Sequence, residues 1–253
     1  MRVASLSMYD RPETAQANDA LWSAIQRHLG VDAPVELTRS GNLWEIWQSP
    51  DLCLSQTCGY PYRARLHGQV QLVGTPVYDI QGCPPGHYNS IFVARKDDPR
   101  IAPKDFSDAR FAFNESLSQS GWAAPQNYAR AMGFEFSNTI QSGGHLFSAR
   151  AVAENNADIA AIDALTWILI NRHDDFAKSL KVVGETPYTP TLPFITANGN
   201  DARQIFDAVE AAIESLSQSQ RDTLALTGIT KIPAENYLSV PNPPPPQNAG
   251  TLA

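Results

Sequence analysis

Apolar residues in this chain fall into short runs, separated by longer stretches in which they recur every three or four positions. Residues 3–6 read as a first core strand. Residues 15–29 carry Leu21, Trp22, Ile25 and Leu29 at helical spacing, and Gly30 stops that helix. A strand is predicted at 35–37, a short helix at 44–47 and a strand at 52–54, followed by a helix at 60–66 and a strand at 70–73. Residues 89–95 form a strong apolar strand, and the alternation resumes after Asp97-Asp98-Pro99. The expected strands are then 111–113, 136–140, 159–162 and 180–183, with helices at 122–132, 146–155 and from 165 onward. Pro187, Pro190 and Pro193 make a stiff extended connector. A strand at 194–196 and an amphipathic helix at 201–216 follow, the helix with Ile205, Phe206, Val209, Ala212 and Ile213 on one face. Pro241 and Pro243 to Pro246 cannot join a sheet and read as an extended surface tail.

Alternating strands and helices predict an α/β fold with mainly parallel sheets flanked by helices. Two such runs, joined by extended segments near 88–93 and 187–196, predict two lobes and two hinge crossovers. The first lobe is 1–88 plus 192–253, with the Pro-rich tail; the second is 89–191. Ligands of such sheets lie beyond the carboxyl ends of the strands. That makes the Met8-Tyr9 loop and the Gln56-Thr57 loop candidates for one wall of a site.

The length of 253 residues suits two lobes of ordinary size, and the net charge of -7 argues against binding DNA, RNA or anionic lipid. No apolar run is long enough to span a membrane. Met1-Arg2-Val3-Ala4-Ser5-Leu6 runs directly into the first strand with no leader before it, so the chain either stays in the cytoplasm or is exported from a longer precursor. Cys53, Cys58 and Cys83 have no zinc spacing, and the histidines show no metal-binding pattern. A bridge between Cys58 and Cys83, both beside turn residues, is one reading; free thiols are the other. No base partner for Cys58 can be named from the sequence.

The most informative chemistry lies at Asn114-Glu115-Ser116-Leu117-Ser118-Gln119-Ser120-Gly121, between an apolar strand and a helix. A helix start offers unpaired backbone N–H groups and a partial positive charge, which together favour an anion. Ser116, Ser118 and Ser120 add neutral hydroxyl donors, and Gly121 lets the backbone approach a bound group. The plain alternative is a serine N-cap with a glycine turn. The loop lacks the lysine of a phosphate-binding nucleotide loop. A second glycine-bearing turn, Ser142-Gly143-Gly144-His145, also precedes a helix.

These pieces follow one another in a telling order: the Tyr9 loop, Asp51 to Leu54 before a Gly-Tyr-Pro turn, Tyr88 to Arg95, Phe113-Asn114 with Ser118 to Gly121, Ser142 to His145, and Ile159 to Asp163. In that order and spacing the chain resembles the phosphonate, phosphite and phosphate substrate-binding proteins of ABC transporters, which share the type II periplasmic-binding fold. The resemblance covers nearly the whole chain. It implies a non-catalytic solute-binding protein that closes on a small anion, a phosphonate- or phosphate-like oxyanion, with no cofactor and no metal. It implies Ser116, Ser118 and Ser120 as hydroxyl donors, His145 as the histidine contact, Tyr9 and Thr57 from the first lobe, and Ser90 at the crossover. Asp163 stands where the family meets the far end of its ligand, although an Asp after a strand is also a good N-cap. An ABC permease as partner, a monomeric state and a periplasmic location follow from the same resemblance. Two other readings stay open. One is a cytoplasmic enzyme on the same fold, as in menaquinone and thiamine pathways, whose turnover would need Cys58 or His145. The other is a ligand-sensing protein that docks through its Pro-rich tail.

Overall fold

The computed structural model describes residues 2–30, 33–247 and 249–252. Its strands in chain order are β1 (Val3–Ser5), β2 (Leu52–Gln56), β3 (Val70–Tyr78), β4 (His87–Tyr88), β5 (Ser90–Arg95), β6 (Phe111–Phe113), β7 (Thr139–Gln141), β8 (Ile159–Asp163), β9 (Leu180–Glu185), β10 (Thr189–Pro190), β11 (Phe194–Ala197), β12 (Leu226–Thr230) and β13 (Gly250–Thr251). The chain divides into two compact units, Met1–His87 with Pro190–Ser239, and Tyr88–Thr189 with Val240–Ala253. It passes between them within β4, again within β10, and a third time between Ser239 and Val240, one passage more than the two expected. No described helix is long and apolar enough to cross a membrane.

The first unit is built on the sheet β1-β2-β11-β3-β12. Only β1 and β2 pair in parallel; β11 runs antiparallel to both β2 and β3, and β12 antiparallel to β3. The expectation of a mainly parallel sheet is therefore corrected here. The reason is that β11 and β12 come from the returning chain and enter from the opposite end. Successive side chains of a strand face opposite sides. Val73 and Phe194 accordingly join one apolar cluster, while Val70, Leu72 and Ile195 join the other. The first cluster holds Leu21, Trp22 and Ile25 of helix Ala15–Leu29 together with Val209 and Ile213 of helix Ala202–Ser215. Gly30, at φ +80°, closes the first helix, and Asp201 caps the second through the backbone N–H groups of Arg203 and Gln204. Both ends carry the residues such ends favour.

Residues 35–37 form no strand, contrary to the sequence reading. Val35 is 83% exposed, and the carbonyls of Pro34 and Val35 are held by the side chains of Trp22 and Gln26. Side-chain capture of those carbonyls takes the segment away from a ladder. Helix Gln218–Leu224 and β12, which the apolar pattern does not announce, complete this unit beside β3.

The second unit carries the sheet β13-β7-β6-β8-β5-β9. Strands β13, β7, β6 and β8 are parallel neighbours, and β5 runs antiparallel between β8 and β9. Ala112, Ala160 and Ile162 face a cluster with Ala149 and Val152 of helix His145–Ala153. Phe111 stacks on Phe136 at 4.4 Å, and Phe113 packs on Trp122 at 4.8 Å. Phe136 itself lies outside the strand, which begins only at Thr139.

The tail needs a further correction. Pro241 and Pro243 to Pro246 stay out of the sheets, in keeping with their missing N–H groups. Yet residues 240–253 belong to the second unit, not the first, and Gly250–Thr251 adds the edge strand β13 to β7. The three cysteines are free thiols, so the bridge between Cys58 and Cys83 does not form.

Candidate functional site

Parallel strands end on one side of their sheet, and in the second unit that side collects the candidate residues. The carboxyl end of β6 opens into the serine loop, that of β7 into the Ser142–Gly144 turn, and that of β8 into Asp163. Because β5 runs the other way, its first residue, Ser90, pairs with Asp163 at the same side.

The serine loop turns into a wide helical turn at Gln119–Ala123, continued as helix Ala124–Ala131. Ser118 is its N-cap: the Oγ accepts from Gly121 N–H at 3.0 Å, while the Ser118 carbonyl accepts from Trp122 and Ala123. Its hydroxyl keeps a proton to donate. The N–H of Ser120 lies in the first turn, where the helix itself supplies no acceptor. Ser120 Oγ lies 2.8 Å from His145 Nε2. An added Cβ at Gly121 would come within 1.9 Å of Asn114 Oδ1 and 3.2 Å of His145 Cε1, so a larger residue would require Asn114 to shift. Asn114 therefore covers the glycine, and its buried Oδ1 has no hydrogen-bond partner. The sequence reading quoted Asn114 in its motif but gave it no role. The signal was its place directly after β6.

The second turn is locked to the first. Asn114 O accepts from Gly143 N–H at 3.0 Å, and Phe113 O from Ser142 N–H at 2.8 Å. Ser142 Oγ also reaches the Gly144 carbonyl and, at 2.6 Å, Ser148 Oγ. His145 opens its helix from this turn. Burial lowers its pKa from the usual histidine range to about 4, and the Ala161 backbone offsets part of that. Nδ1 makes no hydrogen bond of good geometry even so. The imidazole is thus neutral at physiological pH, so the side chains of Ser118, Ser120 and His145 carry no charge there.

The remaining candidates are placed less directly. Asp163 is 2% exposed and caps helix Ala164–His173, accepting from Thr166 N–H at 2.9 Å. The capping reading of this residue is thus realised. Ser90 is buried, with its backbone N–H donating to Thr186 Oγ1 at 3.0 Å. Ser116 is half-buried in the loop. Tyr9, Gln56 and Thr57 lie in the first unit. Gln56 donates to Tyr78 Oη and to the Leu192 carbonyl, and Tyr9 packs edge-on against Tyr78 at 5.3 Å. Tyr9 and Gln56 line a cavity of about 20 Å³ within that unit, room for one water and not for a tetrahedral anion. The Thr57 N–H is taken by Pro193 O at 3.1 Å.

The fold has well-defined likenesses among solved structures. PhnD1 of Prochlorococcus marinus in complex with methylphosphonate superposes with a TM-score of 0.75 at 17% identity, covering 94% of each chain. The binding protein component of an ABC phosphonate transporter from Pseudomonas aeruginosa gives 0.65 at 16% identity, over 91% of this chain and 80% of the other. A chloride-bound protein of Xanthomonas citri, XAC2383, gives 0.67 at 12% identity, over 95% of each chain. A comparison with curated protein sequences finds no match. Two-lobed α/β binding proteins are thus the architecture these units share. At such identities the likenesses establish the fold alone. Residues 3–236 match the model of the ABC-transporter phosphonate periplasmic substrate-binding proteins, and the chain belongs to that family of non-catalytic solute-binding proteins.

Proposed function

We propose that this protein binds a small phosphorus oxyanion, a phosphonate or a phosphate-like ion, and that Ser118, Ser120 and His145 are its principal donors. The observation that carries the reading is the Ser120–His145 pair at the start of a helical turn that Ser118 caps. A tetrahedral oxyanion offers many acceptor lone pairs. Neutral donors satisfy them, and hydrogen bonds to an ionised group are the strong ones. The direction of the Ser120–His145 bond decides whether Ser120 can donate outward. With the imidazole proton on Nε2, His145 donates to Ser120 Oγ and the hydroxyl proton is free for the anion. Ser90, Ser116 and Asp163 at the same end of the sheet complete the donor and orienting set, with Asp163 toward an amine or other cationic group of the ligand. Tyr9, Gln56 and Thr57 are proposed as ligand contacts of the first unit. The protein acts as a monomer, supplies an ABC permease from the periplasm, and has no nucleic-acid partner, in keeping with its net charge of -7.

A thermal-shift screen tests this. Phosphate, phosphite and methylphosphonate are compared with acetate and succinate. Tight binding to the folded state raises the melting temperature by mass action. A rise with a phosphorus oxyanion and none with carboxylates is expected. Equal shifts across both groups, or no shift at all, would remove the reading.

A further inference from the structure

We propose that the C-terminal tail is a brace that positions the Ser120–His145 pair. What the pair does rests on the oxyanion reading; where the tail lies does not. The tail is bonded to the elements that carry each member of the pair. On the Ser120 side, Trp122 Nε1 donates to the Pro244 carbonyl at 3.0 Å, and Asn127 Nδ2 donates to the Pro241 carbonyl at 2.8 Å. Trp122 belongs to the same helical turn as Ser120 and is only 4% exposed, while Pro243 is buried. On the His145 side, β13 pairs with β7, and Leu252 N–H donates to the Gln141 carbonyl at 3.0 Å. Gln141 leads directly into the Ser142–Gly144 turn that launches His145. Leu252 packs on the same apolar cluster as Leu146, the residue after His145.

Proline suits this role physically. It brings no N–H that would need a partner, and its carbonyls are free to accept from side chains. Its restricted backbone also leaves less conformational entropy to lose on docking. A buried indole N–H needs an acceptor, and here the tail supplies it. The pair depends on a hydrogen bond of 2.8 Å between two different loops. A segment tied to both loops holds that separation.

The test uses two full-length variants. Trp122→Phe keeps the aromatic packing on Phe113 and deletes only the N–H that reaches Pro244. Leu252→Pro deletes the N–H that reaches Gln141. Three quantities are measured: the ¹⁵N shifts of the His145 imidazole in ligand-free protein, the melting temperature, and the Kd for methylphosphonate. Both variants are expected to move the His145 ¹⁵N shifts, and to weaken methylphosphonate about ten-fold, the scale of one lost hydrogen bond. Unmoved His145 shifts in both variants overturn the brace, whatever the melting temperature does, because the tail is then only a stabilising appendage. Moved shifts in a protein that binds no phosphorus oxyanion uphold the brace and remove the ligand reading instead. If Leu252→Pro fails to fold, Trp122→Phe decides alone.

Discussion

Ser120 Oγ and His145 Nε2 approach to 2.8 Å, although they start from loops that follow different strands. The contact exists because β6 and β7 are parallel and adjacent, so the loops after both open at the same end of the sheet. Ser120→Ala is expected to cost methylphosphonate affinity about ten-fold or more, on the scale of a hydrogen bond to a charged group. Its melting temperature without ligand should fall modestly, because His145 Nε2 loses its partner. Titration calorimetry checks the first and a thermal melt the second. Affinity equal to the parent's would show that Ser120 serves His145 alone.

Ser118 behaves differently because its Oγ already accepts from Gly121 N–H. Ser118→Ala is expected to lower unfolding stability by about 1 kcal/mol, the usual worth of an N-cap, even before any ligand is added. Ser118→Asp keeps the cap, and should restore stability while repelling an anion. Urea denaturation of the two variants separates the roles. An alanine variant as stable as the parent would mean that the cap contributes nothing.

Gly121 faces Asn114, whose Oδ1 lies 1.9 Å from where a Cβ would stand. Gly121→Ala should therefore cost about 1–3 kcal/mol through overpacking. Adding Asn114→Ala to that variant should recover most of the loss. The two changes are coupled in a double-mutant cycle, measured by denaturant unfolding. Strict additivity would mean that the loop moves aside instead of holding Asn114 over the glycine.

The pKa of His145 is lowered in the folded protein to about 4, whereas an unfolded histidine titrates near its ordinary value. Between those values the unfolded chain binds the extra proton, so stability falls as pH drops from about 6.5 towards about 4. His145→Gln should flatten that part of the stability-pH profile. Denaturant unfolding at pH 7 and pH 5, for parent and variant, measures it. Parallel profiles would show an imidazole that charges freely.

Tyr237 Oη lies 2.7 Å from Thr75 Oγ1 and donates to the Thr191 carbonyl at 3.0 Å, in the interior of the first unit. Tyr237→Phe strips both partners of their bond. A loss of about 1–3 kcal/mol is expected, since buried groups left unpaired carry their full desolvation cost. The same denaturant measurement tests it, and a loss under half of that range would point to a water taking the hydroxyl's place.

Much of this protein was legible in the one-dimensional pattern, because hydrophobic period and end residues are local properties. The helices at Ala15–Leu29 and Ala202–Ser215, the strands β2, β6 and β8, and the serine loop between β6 and its helix all follow from spacing and caps. Ser120 and His145 were legible as candidates for a similar reason, as polar residues at helix starts that follow apolar strands. Other features depended on partners remote in the chain. Val35 to Leu37 carry a strand's composition, but Trp22 and Gln26 claim the neighbouring carbonyls. Strand direction in the first sheet was set by the returning segments β11 and β12, whose pairing and direction no local pattern encodes. Ser118 and Asp163 became caps once helical N–H groups reached them, and Asn114 gained its place over Gly121 only when the two turns docked. The tail joined the second unit because Trp122 and Asn127 offered donors to proline carbonyls that have no N–H to pair with a sheet. Sequence spacing determined which groups can donate and where helices begin; packing between distant segments decided which of those groups are already engaged.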